Sequence, residues 1–142
     1  MRPTTATIDL DAIVSNYQLA CRLAPSSETM AVIKANAYGH GLTEVARALE
    51  LHTPVFAVAF IDEAVQLRDA GISKPVLVLQ GPTCMEDVAE AVAQDFWLLL
   101  HHRQQVDWVT MAELPAAVTV WLKVETGMHR LGFTPQTLDE IC

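Results

Sequence analysis

Two lysines follow apolar segments directly, and each begins a loop that contains glycine. Lys34 ends the apolar run 30–33 and precedes the segment 35–41, where Gly39 and Gly41 permit backbone conformations that bring the chain close to a ligand. A lysine at such a position can form an imine with a carbonyl compound, because a partly desolvated amine is more easily held in its neutral, nucleophilic form. The alternative is an ordinary solvated lysine.

The second lysine, Lys123, ends the run 118–122, and Glu125 and Arg130 follow in the next loop. An arginine keeps its charge at any working pH and offers a planar pair of donors, so Arg130 is suited to bind a carboxylate or a phenolate at two points. The alternative is an arginine that pairs with Glu125 at the surface, an arrangement that contributes little to stability.

Several function classes are excluded by composition and by missing patterns. The 142 residues carry 9 basic and 17 acidic side chains, and the net charge of −8 disfavours binding to nucleic acids or anionic membranes. The longest apolar run, 55–61, is too short to span a bilayer, and the N-terminus lacks the apolar core of a secretory signal, so we expect a cytoplasmic protein. The five histidines show no metal-binding spacing, the adjacent pair His101 and His102 indicates a loop, and no complete dinucleotide or phosphate-loop motif occurs.

The predicted strands and helices that position the two lysines alternate at regular intervals along the chain. Apolar runs begin near residues 30, 55, 76, 96 and 118, and amphipathic helical patterns separate them, one of which Asp62 is predicted to cap. An additional strand is predicted over 4–10, followed by a helix capped by Asp11, and Thr134-Pro135 is predicted to open a final helix. Strands alternating with helices predict a parallel sheet covered by helices, either doubly wound or a (β/α)8 barrel, and the even spacing favours the barrel.

A complete barrel of this type takes roughly 250 residues, so the chain has the length for about the first five or six βα units of an incomplete TIM barrel. We therefore expect the natural protein to be longer. In both architectures the functional face lies at the carboxyl ends of the strands, and Lys34 and Lys123 both follow strands at that face.

Two segments carry a resemblance to a known family. The segments AVIKANAYGHG at 31–41 and LKVETGMHRLG at 122–132 closely resemble the two N-terminal signatures of bacterial alanine racemase. The resemblance implies a pyridoxal-phosphate enzyme with a (β/α)8 barrel and a C-terminal β domain, acting as a homodimer. Residues 1–142 then correspond to the N-terminal portion of the cofactor-binding barrel, without the rest of the barrel or the β domain.

The same resemblance assigns roles to four residues. It implies that Lys34 holds pyridoxal 5'-phosphate as an internal aldimine and acts as the base on the D-alanine face. It implies that Tyr38 binds the cofactor phosphate and that Arg130 contacts both the phenolic oxygen and the substrate carboxylate. Lys123 matches a lysine carried as a carbamate in many members, and no metal is implied.

The implied reaction is the two-base interconversion of L-alanine and D-alanine, which supplies D-alanine for peptidoglycan. The second base of the family lies beyond Cys142, so residues 1–142 alone are expected to be inactive. Three alternatives stay open: a related barrel decarboxylase of basic amino acids, a non-catalytic pyridoxal-phosphate-binding barrel protein, and an interaction module. The loop around Arg130 disfavours the first two.

Overall fold

A five-stranded parallel sheet organises the computed structural model, which describes residues 3–139 and 141. Its strands are β1 (Ala31–Val32), β2 (Phe56–Val58), β3 (Val76–Val78), β4 (Phe96–Leu100) and β5 (Val120–Leu122). They lie in the order β1-β2-β3-β4-β5, and every neighbouring pair is parallel. Each strand is added to the same side of the sheet, as in a barrel, whereas a doubly wound sheet reverses direction at a switch point. The predicted α/β barrel class is confirmed, as an open part of a barrel.

The helices of the described residues precede, connect and follow these strands. They are α1 (Leu10–Leu23), α2 (Lys34–Gly39), α3 (Leu42–Leu49), α4 (Ile61–Asp69), α5 (Met85–Ala93), α6 (Arg103–Met111) and α7 (Pro135–Asp139). Each of the five apolar runs recognised in the sequence contains one strand, and Pro135 occupies the first turn of α7 as predicted.

The N-terminal segment differs from its prediction. Residues 3–9 form no regular structure, α1 begins at Leu10, and its N-cap is Asp9, whose Oδ1 accepts a hydrogen bond from Ala12 N at 3.0 Å. The predicted strand over 4–10 and the predicted cap at Asp11 are therefore wrong for this structure. An alternating pattern forms a strand only where a neighbouring strand accepts its hydrogen bonds, and this segment has no such partner among the described residues.

The core lies between the sheet and its helices. All residues of β2 and β3 are buried, whereas β4 alternates: Phe96, Leu98 and Leu100 pack into the core and the two residues between them are half-buried. On that second face Trp97 stacks with Trp121 at a centroid distance of 6.1 Å, and Trp121 stays 46% exposed. The face that forms the interior of a closed barrel is thus partly open, and both lysines lie along one edge of the sheet.

Candidate active site

Lys34 lies two residues beyond the end of β1, at the start of an unusual turn. The next four residues, from Ala35 to Tyr38, have φ of 51–54° and ψ of 36–52°, which makes one turn of left-handed helix. Left-handed conformation costs an L-residue about 1–2 kcal/mol. Non-glycine residues keep such conformations only where the surrounding structure imposes them, and they concentrate at functional sites. The predicted loop is therefore a strained turn that sets where Lys34 leaves the sheet.

Hydrogen bonds within the segment support this turn. Asn36 Oδ1 accepts from Leu42 N at 2.8 Å, and its carbonyl oxygen accepts from Gly41 N at 3.0 Å. His40 Nδ1 donates to the carbonyl oxygen of Ala37 at 2.9 Å, and Ala37 itself is buried in the core. The sequence analysis recognised the segment but assigned no role to Asn36 or His40.

A second support comes from Glu63, in the first turn of α4. Its Oε1 accepts from Ala35 N at 2.6 Å, and its Oε2 accepts from Ala59 N at 2.7 Å and from Phe60 N at 3.2 Å. The predicted cap at Asp62 is wrong, because the N-cap is Phe60 and Asp62 lies in the first turn. A carboxylate three residues after a cap commonly bonds back to the cap amide, and that spacing was the signal available in the sequence.

The loop after β5 is closed at its base by backbone hydrogen bonds. Lys123 O accepts from Phe133 N at 2.8 Å, and Glu125 N donates to Phe133 O at 2.8 Å. Gly132 has φ of +122°, and a Cβ there would come within 3.0 Å of Lys123 O and Glu125 N. Within this loop Lys123 and Arg130 line one small cavity of about 70 Å³. The structure thus brings together the two basic residues that the sequence analysis singled out here.

The alternative pairing of Arg130 with Glu125 does not form. Arg130 is exposed and makes no ion pair within 4 Å in the part of the chain that the structure describes. The Glu125 carboxylate instead accepts a hydrogen bond from Gly127 N, and backbone hydrogen bonds from His129 and Gly127 lower the pKa of Glu125. The Arg130 guanidinium is therefore available to an anionic ligand.

His101 and Gln105 form a polar cluster at the end of β4. Gln105 is 1% exposed; its Oε1 accepts from His101 N at 2.9 Å, and its Nε2 donates to the carbonyl oxygens of Gln80 at 2.7 Å and Pro82 at 3.1 Å. Burial lowers the pKa of His101, with a smaller contribution from the positive charge of Lys123. His101 Nε2 donates to Gln80 O at 3.0 Å, while its Nδ1 is buried without a partner. The sequence analysis interpreted His101 as a loop residue and missed Gln105.

Replacing Gln105 with leucine is expected to lower the free energy of unfolding by about 2–3 kcal/mol. The substitution leaves the carbonyl group of Pro82 and the amide of His101 without their partner, while Gln80 O keeps its bond from His101 Nε2. Each unpaired buried group costs about 1–3 kcal/mol unless water or relaxation compensates. Urea denaturation of the protein that carries this chain measures the change. Gln104→Leu, at the exposed neighbouring position, is the matched control. Equal losses for both variants would contradict the structural role of Gln105.

The lowered pKa of His101 predicts a pH-dependent stability. Between the folded value and the ordinary value of 6.5 the unfolded chain binds more protons than the folded one, so stability falls as the pH drops below about 6.5 and levels off below the folded value. His101→Gln is expected to remove this decrease, whereas the exposed His102→Gln keeps it. Denaturation midpoints measured from pH 5 to 8 show the decrease in stability. If the midpoint of His101→Gln changed with pH in parallel with that of the wild type, the prediction would be refuted.

The residues singled out by sequence lie in two groups. Lys34 and Tyr38 follow β1, while Lys123 and Arg130 follow β5, and no hydrogen bond or ion pair joins the groups in the described part of the chain. Tyr38 is 61% exposed and lines an apolar cavity of about 450 Å³, which Lys34 does not line. Both groups occupy the carboxyl edge of the sheet, at the first and the last strand.

No group of three or more histidine, cysteine, aspartate or glutamate residues within 3–139 and 141 is arranged to hold a metal ion. None of the helices described here has the length and apolar character needed to cross a membrane.

Comparisons with known proteins point to one family. The family model for the N-terminal domain of alanine racemase matches residues 8–142. The chain is 46% identical to the alanine racemase of Halorhodospira halophila over 139 residues, covering 98% of this chain and 38% of that protein. It is 48% identical to the alanine racemase of Pseudomonas syringae over 135 residues, covering 95% and 38%.

Solved structures agree with the sequence comparisons. The biosynthetic alanine racemase of Pseudomonas aeruginosa superimposes with a TM-score of 0.93 at 43% identity, covering 99% of this chain and 39% of that one. The histidine racemase of Leuconostoc mesenteroides superimposes with a TM-score of 0.84 at 30% identity, covering 94% and 37%. The chain therefore spans less than two-fifths of the length of these relatives.

Proposed function

We propose a function for this protein from the premise that the chain belongs to the family of the alanine racemase N-terminal domain. Residues 1–142 form the N-terminal portion of a pyridoxal-phosphate-binding barrel, in an enzyme that interconverts L-alanine and D-alanine. The observation that carries the proposal is the position of Lys34, two residues beyond the end of β1 and at the start of the left-handed turn. We further propose a cytoplasmic homodimer whose D-alanine serves peptidoglycan synthesis.

The groups near the two strand ends fit this cofactor. Pyridoxal phosphate requires an amine for its aldehyde and donors for its phosphate and its phenolate. Lys34 is half-buried, and its amine makes no hydrogen bond or ion pair with the described residues. Tyr38 exposes its side chain on the same turn, and the exposed Arg130, which forms no ion pair with the described residues, offers a planar pair of donors. This set of an amine, a hydroxyl and a guanidinium supports the assignment.

When bound, pyridoxal phosphate supplies the electron sink that makes the Cα proton of an amino acid acidic. Lys34 would hold the cofactor through its amine, and the same amine in its free form would take or return the Cα proton on the D-alanine face. Tyr38 donates from its hydroxyl to the phosphate. Arg130 binds the phenolic oxygen and the substrate carboxylate and so orients Cα toward Lys34. A second base on the opposite face completes racemisation.

Lys123 is proposed to carry a carbamate, formed when its neutral amine adds to carbon dioxide and releases a proton. The modification replaces a cation by an anion beside Arg130, with which Lys123 shares the small cavity. An anion there holds the guanidinium by a charge-assisted hydrogen bond, whereas an ammonium repels it.

Alanine racemisation is tested directly with the protein that carries this chain. Purified protein supplied with pyridoxal phosphate is incubated with L-alanine, and D-alanine is measured over time by chiral chromatography. L-Histidine and a basic amino acid serve as competing substrates, because a histidine racemase has the same fold at 30% identity and a decarboxylase would release carbon dioxide. Cofactor binding without turnover of any amino acid would instead favour a non-catalytic barrel protein.

A further inference from the structure

We propose that Glu63 is a positioning residue for Lys34: its carboxylate ties the left-handed turn to the end of β2 and thereby holds Lys34 where it meets the cofactor. The consequence for catalysis rests on the proposed role of Lys34. The tie itself is a feature of the fold, and it is testable without any cofactor.

The two carboxylate oxygens of Glu63 accept hydrogen bonds from amides beyond the ends of two different strands. Oε1 accepts from Ala35 N, the amide that directly follows Lys34, at 2.6 Å. Oε2 accepts from Ala59 N at 2.7 Å, just beyond the end of β2. Hydrogen bonds from amides to a carboxylate are shorter and stronger than those between neutral groups. One side chain therefore fixes the ends of β1 and β2 relative to each other at the edge where Lys34 lies.

Helix capping alone does not account for this arrangement. A cap for α4 requires only the bond from Phe60 N, and at 3.2 Å that is the longest of the three. The two shorter bonds go to amides outside α4. The first amides of a helical turn have no acceptor within the turn, and for Ala35 the acceptor is Glu63.

The strain of the turn explains why such a tie is needed. Four consecutive non-glycine residues after Lys34 hold positive φ, so the turn relaxes toward ordinary conformations unless its surroundings oppose this. Asn36 and His40 brace the turn from its C-terminal side. Glu63 holds the N-terminal side of the turn, next to Lys34, through its hydrogen bond from Ala35 N. Loss of this bond therefore releases the backbone at Lys34 before the rest of the turn.

Two matched substitutions isolate the tie. Glu63→Gln keeps the size of the side chain and the folded helix, but a carboxamide has one acceptor oxygen and turns an NH₂ group toward the second amide. One of the two strands therefore loses its bond. Asp62→Asn removes the same charge one residue earlier, from an exposed side chain in the same helical turn.

The first readout is amide hydrogen exchange in the protein that carries this chain, without cofactor. We expect exchange at Ala35 or Ala59 to accelerate at least about tenfold in Glu63→Gln, and to stay within about twofold of wild type in Asp62→Asn; tenfold corresponds to about 1.4 kcal/mol. Equal exchange rates at these amides in the two variants would contradict the proposal that Glu63 ties the turn to the end of β2.

The second readout is the rate at which pyridoxal phosphate becomes fixed to Lys34 under borohydride, followed by peptide mapping. Glu63→Gln is expected to slow fixation at Lys34 about tenfold at limiting cofactor, with Asp62→Asn close to wild type. A rate unchanged in Glu63→Gln would overturn the positioning role even if exchange accelerates. Wild-type protein that fixes no cofactor at Lys34 would refute the proposed function, while the exchange experiment still decides the tie.

Glu63→Asp keeps the result decisive if the glutamine variant folds poorly. Its carboxylate keeps the charge at the first turn of α4, but it is one methylene too short to reach both strand ends. We expect slowed fixation at Lys34 together with a far-ultraviolet circular dichroism spectrum like that of wild type. Wild-type fixation in a folded Glu63→Asp protein would contradict the proposal.

Discussion

Replacing Lys34 with alanine is expected to abolish alanine racemisation, with a loss of more than about 10⁴-fold in kcat. A general acid–base step alone contributes about 10²–10⁴-fold, and the covalent attachment of the cofactor is lost with the same amine. Neither of the other two lysines of this chain can replace it, because Lys34 alone begins the turn after β1. Chiral chromatography of the alanine produced by the cofactor-saturated protein measures the loss.

Because the chain has few lysines, each of them can be tested separately as the point of cofactor attachment. The chain contains three, and Lys74 lies before β3, at the opposite edge of the sheet from Lys34. Lys74→Ala is therefore the control and should keep wild-type activity. Borohydride-fixed cofactor recovered on Lys74 or Lys123 in the wild-type protein, or an active Lys34→Ala variant, would refute the assignment.

Replacing Lys123 with alanine is expected to lower racemisation at least about tenfold, and small carboxylates such as formate or acetate should restore part of it. A tenfold loss corresponds to about 1.4 kcal/mol, within the range of a hydrogen bond to a charged group. The physical reason is the cavity that Lys123 shares with Arg130. Glu125 also lines this cavity, but its carboxylate accepts from Gly127 N and no ion pair holds Arg130 among the described residues, so the carbamate is the anion that would hold the guanidinium. An added carboxylate can enter the space left by the removed side chain.

Steady-state kinetics over a range of acetate concentrations test this effect. The Lys74→Ala protein and the wild type serve as controls, since both keep Lys123 and should show no stimulation. Equal stimulation of all three proteins, or full activity of Lys123→Ala without acetate, would show that no anion is needed beside Arg130.

Much of the framework could be predicted from local patterns. The apolar runs that contain β1 to β5 recur at nearly even spacing. A parallel strand buried on both faces, as β2 and β3 are, must be apolar throughout, so its own residues indicate it. The strand-end positions of Lys34 and Lys123 follow from the same runs. The segment 4–10 shows the limit, because its alternation suits a strand but the described residues offer no partner.

The sequence by itself determined the positions of the five strands along the chain, the strand-end lysines and the two segments that resemble alanine racemase. Only the tertiary structure decided how the site is held. The left-handed turn runs through two alanines, an asparagine and a tyrosine; asparagine tolerates this conformation, but alanine and tyrosine locally prefer right-handed or extended backbone. Glu63 reaches an amide 28 residues away, and Gln105 a carbonyl 25 residues away. Which groups become hydrogen-bond partners depends on which strand ends lie next to each other in the sheet. No periodic pattern along the chain indicates such long sequence separations.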